Sequence, residues 1–150
     1  MSTMKNLILI VVIALAGLAI YSFINPKADF KADKAESIQF HRGSWNEALA
    51  KAVQQNKLIF LDIYTTWCGP CKRLKATTFA NSRVGKYFNE NFINVSLDGE
   101  TGDGLLLANQ YNITGYPTLL FINKDGKVVA SADGYLDAGE LLKLGKSAIK

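Results

Sequence analysis

A chain of 150 residues is long enough for one domain with a hydrophobic core and a further terminal segment. Its 17 basic and 13 acidic residues are interspersed, and the formal net charge of +4 is modest. The chain has no basic block with interleaved aromatic residues, so nucleic acid is not expected as a partner. Two cysteines and one histidine fall short of the four Cys and His ligands of a typical structural zinc site, so no metal is expected and zinc binding is an alternative only.

The first predicted element is a hydrophobic segment near the amino terminus. Residues 7–24 form an uncharged run, and as a helix they would extend roughly 27 Å, close to the ~30 Å hydrocarbon core of a bilayer. Asn25 and Pro26 end this run. An uncleaved membrane anchor fits the length, whereas small residues at positions 14–19 keep a cleaved export signal as the alternative. Residues 1–25 are therefore predicted to be a membrane anchor or a signal segment.

A linker is predicted at residues 26–37, which are rich in Lys, Ala and Asp and have no hydrophobic periodicity. A globular domain, residues 38–150, is predicted to follow the linker.

The charges that flank the hydrophobic segment bear on its orientation in the membrane. One lysine precedes the segment and three follow it, so the positive-inside rule mildly favours a cytoplasmic carboxyl terminus. A very short tail before a hydrophobic run is nevertheless typical of export, and large domains translocate largely regardless of flanking charge. We expect a membrane-anchored domain outside the cytoplasm, on the periplasmic side, with export and cleavage as the alternative.

The domain is predicted to open with a short strand, a helix and a central strand. Residues 38–40 would form a short edge strand. Ser44 and Glu47 have the spacing of a capping box, and apolar residues then recur at helical intervals over residues 45–56. Residues 58–64 are nearly continuously apolar, as expected of a strand that is covered on both faces.

Both cysteines lie two residues apart at the junction between this strand and the next predicted helix, in the stretch Trp67-Cys68-Gly69-Pro70-Cys71. If Cys68 is the N-cap, Pro70 falls in the first helical turn, where its missing N–H would have no intrahelical partner. The N–H of Cys71 and the positive end of the helix dipole then face the Cys68 sulfur, and both favour the thiolate. Cys71 is close enough to attack a mixed disulfide formed on Cys68. The pattern predicts a redox-active dithiol, with half of a zinc site or an inert crosslink as alternatives.

One acidic residue, Asp62, interrupts the apolar strand six residues before Cys68. A buried carboxylate without a partner costs several kcal/mol, so this group is expected to keep its proton through a raised pKa. Such an acid can accept the proton that Cys71 must lose before it attacks a mixed disulfide. The alternative is a carboxylate at the rim of the domain that pairs with Lys57 or Lys75.

The remaining elements alternate between helices and strands. In chain order they are a helix from residue 68 towards 79, a further turn or two at 84–89, a strand at 92–98, a solvated acidic loop at 99–104, a helix over 103–111, a strand at 118–122, a hairpin turn at 123–126, a strand at 127–132 and a final helix. Asp125-Gly126 is the strongest turn signal, and Asp137 and Glu140 form a second capping box. The order β-α-β-α-β-α-β-β-α predicts an α/β fold with a mixed central sheet flanked by helices.

Three separated motifs resemble the thioredoxin family. The stretch from Trp67 to Lys72 is similar to the active-site motif of thioredoxins, Asp62 falls where they keep a buried acid, and residues 111–121 are similar to the segment that leads into their cis-proline strand. The similarity runs from about Ser44 to the carboxyl terminus. It implies the thioredoxin fold and a cis peptide bond between the residues Tyr116 and Pro117 beside the Cys68 sulfur, with the Tyr116 backbone left to pair with an extended substrate segment.

The resemblance also implies an enzyme, a protein-disulfide reductase without metal, flavin or nucleotide cofactor. Cys68 would attack a partner disulfide, and Cys71 would release the reduced partner with help from Asp62. The residues expected to contact substrate are Trp67, Gly69, Pro70, Tyr116 and Pro117.

The pattern of Cys71-Lys72, Thr78-Phe79 and Val84 is more similar to the thioredoxin-like domains of membrane thiol–disulfide interchange proteins than to cytosolic thioredoxin. Ala76 stands where thioredoxins usually carry a helix-kinking proline, so a straighter helix, or one that ends near Asn81, is expected. Gly69-Pro70 resembles the reducing end of the family's range, so reduction of extracytoplasmic proteins is expected, with a membrane electron donor for re-reduction. A disulfide oxidase or isomerase and a non-catalytic binding module are the alternatives.

Overall fold

The computed structural model describes residues 37–149. The predicted anchor or signal segment at residues 1–25, and all but the last residue of the predicted linker at 26–37, lie outside the described residues. Among the helices of residues 37–149, none has both the length and the apolar character needed to cross a membrane.

The described part of the chain contains five helices and four strands. In chain order they are α1 (Trp45–Gln55), β1 (Leu58–Tyr64), α2 (Gly69–Thr77), α3 (Ser82–Asn91), β2 (Phe92–Asp98), α4 (Gly102–Gln110), β3 (Thr118–Ile122), β4 (Val128–Asp133) and α5 (Ala138–Ala148). Every element predicted after residue 44 is present, and the ends differ from the prediction by a few residues.

The strand β1 lies inside a mixed sheet with the order β2-β1-β3-β4. It runs parallel to β2 and antiparallel to β3, and β3 runs antiparallel to β4. All residues of β1 between Leu58 and Tyr64 are buried, which is the pattern of a strand covered on both faces. The predicted α/β architecture with a mixed central sheet is confirmed.

Two hydrophobic clusters cover the two faces of the sheet. Successive side chains of β1 point to opposite faces, so Leu61 belongs to one cluster and Phe60 to the other. The first cluster joins the sheet to α1 and α4. The second joins it to α2, α3 and α5, and contains rings such as Phe60 and Phe88, whose centroids are 4.8 Å apart. Apolar burial on both faces holds the carboxyl end of β1, and hence the start of α2, in place.

Polar side chains define where three of the helices begin. Both predicted capping boxes are confirmed, since Ser44 and Glu47 cap α1 and Asp137 and Glu140 cap α5 through reciprocal bonds. The segment predicted as a turn or two at residues 84–89 is instead part of a complete helix, α3. The side-chain oxygen of Asn81 accepts hydrogen bonds from two N–H groups in its first turn, and this cap supports the longer helix.

The predicted edge strand at residues 38–40 is not formed. The N–H of Ile38 donates to the carbonyl oxygen of Phe79 at 2.9 Å. The N–H of Gln39 instead donates to the side-chain oxygen of Asn89 on α3 at 2.8 Å. Because these partners belong to different parts of the domain, the segment forms no regular ladder with a neighbouring strand.

Candidate active site

The junction between β1 and α2 places both sulfur atoms at the start of a helix. Cys68 is the N-cap of α2, and its Sγ accepts a hydrogen bond from the N–H of Cys71 at 3.1 Å. Pro70 occupies the first turn, as predicted. The two cysteines form a disulfide, with their Cα atoms 5.3 Å apart. In the reduced protein the same N–H group and the positive end of the helix dipole would favour a thiolate on Cys68.

The disulfide is covered, whereas the residues that flank it are open to solvent. Cys68 is 3% exposed and Cys71 is 7% exposed, while Trp67 is 65% exposed. Gly69 and Pro70 are also exposed, and no atom lies within 4 Å of the position that a Cβ at Gly69 would occupy. The covered sulfur of Cys68 is therefore flanked in the chain by three solvent-exposed residues.

The loop before β3 contacts the cysteine motif through Tyr116. The peptide bond between Tyr116 and Pro117 is cis, which confirms that prediction. The carbonyl oxygen of Pro117 accepts a hydrogen bond from the N–H of Gly134 at 2.7 Å. The ring of Tyr116 makes an edge contact with the indole of Trp67, with centroids 6.2 Å apart. Within residues 37–149 the N–H and carbonyl groups of Tyr116 form no backbone hydrogen bond, so both are available to an extended segment.

A residue that the sequence analysis did not identify, Glu100, holds the indole of Trp67. The Nε1–H group of Trp67 donates to both carboxylate oxygens of Glu100, at 3.1 and 3.2 Å. The N–H of Glu100 donates in turn to the side chain of Asp98 at 2.9 Å. Glu100 was predicted only as part of a solvated loop. Glu100 follows β2, and the cysteine motif follows β1, so the two loops meet because β1 and β2 are parallel neighbours. A prediction that these strands pair is the one signal that could have indicated this contact.

The carboxyl group of Asp62 is buried beside the second cysteine. Asp62 is 5% exposed, and its Oδ2 accepts a hydrogen bond from the Oγ of Ser96 at 2.7 Å, whereas its Oδ1 has no partner. Burial raises the pKa of Asp62 to about 6, although the Ser96 hydrogen bond and the charge of Lys75 both act to lower it. The raised pKa agrees with the prediction. The alternative of a rim carboxylate is wrong, because the side chain lies inside the domain.

Asp62 shares a small cleft with Cys71. The cleft has a volume of about 220 Å³, and Ser96 and Lys75 also line it. A larger cavity of about 500 Å³ lies beside Leu58 at the opposite end of β1, and none of the predicted site residues lines it. The residues with the relevant chemistry therefore lie at the carboxyl end of β1. No group of three or more His, Cys, Asp or Glu residues that could hold a metal is found in the described part of the chain.

The fold and this site define a class, an α/β protein with a disulfide at a helix N-terminus, a buried acid that shares a cleft with Cys71, and a cis-proline loop in contact with Trp67. The family model described as a thioredoxin-like domain matches residues 45–149. This chain belongs to the family of thioredoxin-like domains.

Relatives of this chain include proteins named for thiol–disulfide interchange. The chain is 28% identical over 95 residues to the thiol:disulfide interchange protein DsbD of Yersinia pestis (strain Pestoides F), with 61% of this chain and 16% of that protein aligned. It is 30% identical over 91 residues to DsbD of Actinobacillus pleuropneumoniae serotype 5b (strain L20), with 59% of this chain and 16% of the relative aligned. The chain thus spans about a sixth of the length of these relatives.

Among solved structures, a proposed disulphide-isomerase from Bacteroides thetaiotaomicron is 47% identical, with a TM-score of 0.67. The alignment covers 76% of this chain and 94% of that one. Another similar structure is the oxidised C-terminal domain of DsbD from Neisseria meningitidis, with 21% identity and a TM-score of 0.60. The alignment covers 75% of this chain and 99% of that domain, and at this identity it supports the fold alone.

Proposed function

We propose that this chain is a thiol–disulfide oxidoreductase that reduces disulfides in extracytoplasmic proteins through Cys68 and Cys71. The observation that carries the proposal is the position of the Cys68 sulfur, at the N-cap of α2 and 3.1 Å from the N–H of Cys71. This position favours the thiolate, which is the nucleophilic form of cysteine. An inert crosslink would need neither the helix terminus nor the buried acid beside it.

The reaction is an exchange of sulfur–sulfur bonds in two steps. The Cys68 thiolate attacks one sulfur of the partner disulfide, a bond forms between the two, and the other partner sulfur leaves as a thiolate. Cys71 then transfers its proton to Asp62 and attacks the Cys68 sulfur. The bond between Cys68 and the partner breaks, the partner leaves as a second thiolate, and the Cys68–Cys71 disulfide remains. Two electrons pass from the dithiol to the partner.

Substrate contacts are proposed for Trp67, Gly69, Pro70, Tyr116 and Pro117. The exposure of the first three, next to a covered sulfur, supports a docking surface around Cys68. The unpaired backbone groups of Tyr116 support pairing with an extended segment of the partner. Backbone pairing of this kind recognises the main chain, so it suits an enzyme that acts on several proteins.

The reducing direction is supported by Gly69-Pro70 between the cysteines and by the relatives named thiol:disulfide interchange proteins. Thioredoxin has a reduction potential of about −270 mV, whereas a strong periplasmic oxidant lies at about −120 mV. We place this domain, residues 38–150, on the periplasmic side, tethered through residues 26–37 to a membrane segment within residues 1–25. A reductase there needs a membrane electron donor, and the tether would keep the domain near it.

A second candidate is a disulfide isomerase that uses the same two cysteines. One observation favours it, the 47% identity to a protein from Bacteroides thetaiotaomicron that is described as a proposed disulphide-isomerase. A reduction potential measured on the full-length protein in detergent separates the two. A value below about −200 mV supports the reductase, and a value well above it supports an isomerase or oxidase.

Activity itself is tested by reduction of insulin with the full-length protein. We expect Cys68→Ser to abolish turnover, and Cys71→Ser to stall as a mixed disulfide with the partner because the resolving thiol is absent. Lys124→Gln, in the hairpin turn at the other end of β3, is a control that should retain activity. Absence of any thiol-dependent insulin reduction by the wild-type protein would favour a binding module instead, and a wild-type rate in Cys68→Ser would contradict the role of Cys68.

A further inference from the structure

The two oxygens of the Asp62 carboxyl group have different surroundings. Oδ2 accepts the hydrogen bond of Ser96 Oγ at 2.7 Å, whereas Oδ1 is buried and has no partner. A serine hydroxyl that donates to Oδ2 uses one of the two lone pairs of that oxygen, whereas Oδ1 has both lone pairs unused. The oxygen more open to a proton is therefore Oδ1, in a group that lines the same cleft as Cys71.

The sheet places Ser96 at this position through the register of β1 and β2. Asp62 pairs with Ser96 on the parallel strand β2 and with Leu119 on the antiparallel strand β3. Side chains alternate between the faces of a strand, so the residues before and after Ser96 point away from the carboxyl group. Leu119 is apolar and cannot donate a hydrogen bond. Ser96 is thus the hydroxyl group that the register supplies to Asp62.

The charged and titratable groups of the cleft come from α2 and β1. Helix α2 contributes Cys71, Lys72 and Lys75, and strand β1 contributes Tyr64 in addition to Asp62. Burial raises the pKa of Asp62, and the Ser96 hydrogen bond and the Lys75 charge oppose this effect. Of the two opposing contributions, the Ser96 bond is the larger, so the serine keeps more of the carboxyl group ionised near neutral pH.

We propose that Ser96 is a positioning residue that holds the Asp62 carboxylate by Oδ2 and leaves Oδ1 to accept the proton of Cys71. The inference rests on the proposed exchange reaction and concerns its second step alone. The hydroxyl group of Ser96 donates to Asp62, and Ser96 acts through the orientation and ionisation of that carboxylate.

The second step can be observed separately with an aromatic disulfide, 5,5′-dithiobis(2-nitrobenzoate), mixed with an excess of reduced full-length protein in detergent. Attack by Cys68 releases one coloured thiolate and leaves a mixed disulfide. Attack by Cys71 on the Cys68 sulfur then releases the second coloured thiolate and closes the Cys68–Cys71 disulfide. The rate of the first phase measures the attack by Cys68. The rate of the second phase measures the attack by Cys71, the step in which Asp62 takes the proton.

We expect Ser96→Ala to move the pH at which the second phase accelerates upward by about one to two units, since a hydrogen bond to a charged group is lost. At pH 7 the second phase should slow by about twofold to tenfold. It should approach the wild-type rate at high pH, where Cys71 ionises without help. The first phase should be unchanged, and Ser96→Thr, which retains a hydroxyl group, should keep the wild-type pH profile.

A double variant distinguishes positioning from a general structural effect. If Ser96 acts through Asp62, Ser96→Ala should have no further effect on the pH profile once Asp62→Asn is present. A wild-type profile in Ser96→Ala, or a slowing that is equal at every pH and persists in the Asp62→Asn background, would overturn the inference. Absence of the second phase in the wild-type protein would overturn the exchange reaction itself and this inference with it.

Discussion

The buried carboxyl group of Asp62 should make the stability of the oxidised domain depend on pH in a way that Asp62→Asn removes. Burial raises its pKa from 3.8 to about 6, and each pKa unit corresponds to about 1.4 kcal/mol. The folded state therefore binds this proton more tightly than the unfolded state. Ionisation of Asp62 costs no stability below pH 3.8, costs progressively more between pH 3.8 and about 6, and reaches its full cost above that range.

The full cost is about 3 kcal/mol at pH 7 and well under 1 kcal/mol at pH 4. Asp62→Asn has no ionisation at this position, although its buried amide adds a constant cost of its own. The constant cost cancels when the same variant is compared at two pH values. We therefore expect the stability of Asp62→Asn, relative to wild type, to increase by roughly 2–3 kcal/mol between pH 4 and pH 7.

The measurement is urea unfolding of both oxidised proteins at intervals from pH 4 to pH 8, in which the disulfide keeps the cysteines from titrating. Asp125→Asn, at an exposed position in the hairpin turn, provides a carboxylate control whose stability should follow the wild-type pH dependence. Parallel stability curves for wild type and Asp62→Asn over this range would refute the argument, because the buried acid would then have no raised pKa in the folded state.

Two further changes test the contacts around the site. Glu100→Ala removes both acceptors of the Trp67 indole, and we expect a several-fold higher KM for insulin with a similar kcat. A large loss of kcat at unchanged KM would contradict a role in docking. A Cβ at Gly104 would overlap the carbonyl oxygen of Asp98, so Gly104→Ala should lower the free energy of unfolding by about 1–3 kcal/mol. Gly115→Ala, where no atom lies within 4 Å of the added Cβ, is the matched control, and equal effects at the two glycines would contradict the packing argument.

Local features of the site could be predicted from the sequence because they depend on neighbouring residues. The N-cap at Cys68 follows from the spacing of Gly69, Pro70 and Cys71, and the two capping boxes follow from pairs of residues three apart. The cis bond before Pro117 was predicted from the resemblance to thioredoxins, not from spacing. Burial of Asp62 followed from its position inside an apolar strand.

Features that depend on the register of distant segments could not be predicted in this way. The hydrogen bond between Ser96 and Asp62 requires the alignment of β1 with β2, and one residue of slip would turn the hydroxyl group to the other face. The contact between Glu100 and Trp67 joins residues 33 positions apart. Residues 38–40 alternate as a strand would, but their hydrogen bonds go to Asn89 on α3 and to Phe79 in the loop after α2.

If the start of α2 activates the Cys68 thiol, titration of that thiol in the reduced protein will show it. The ultraviolet absorbance of the thiolate, followed against pH in wild type and in Cys71→Ser, measures the pKa of Cys68. We expect Cys68 to ionise near neutral pH, with a pKa clearly below the value of about 8.5 for an ordinary cysteine. A Cys68 pKa at or above that ordinary value would contradict this expectation.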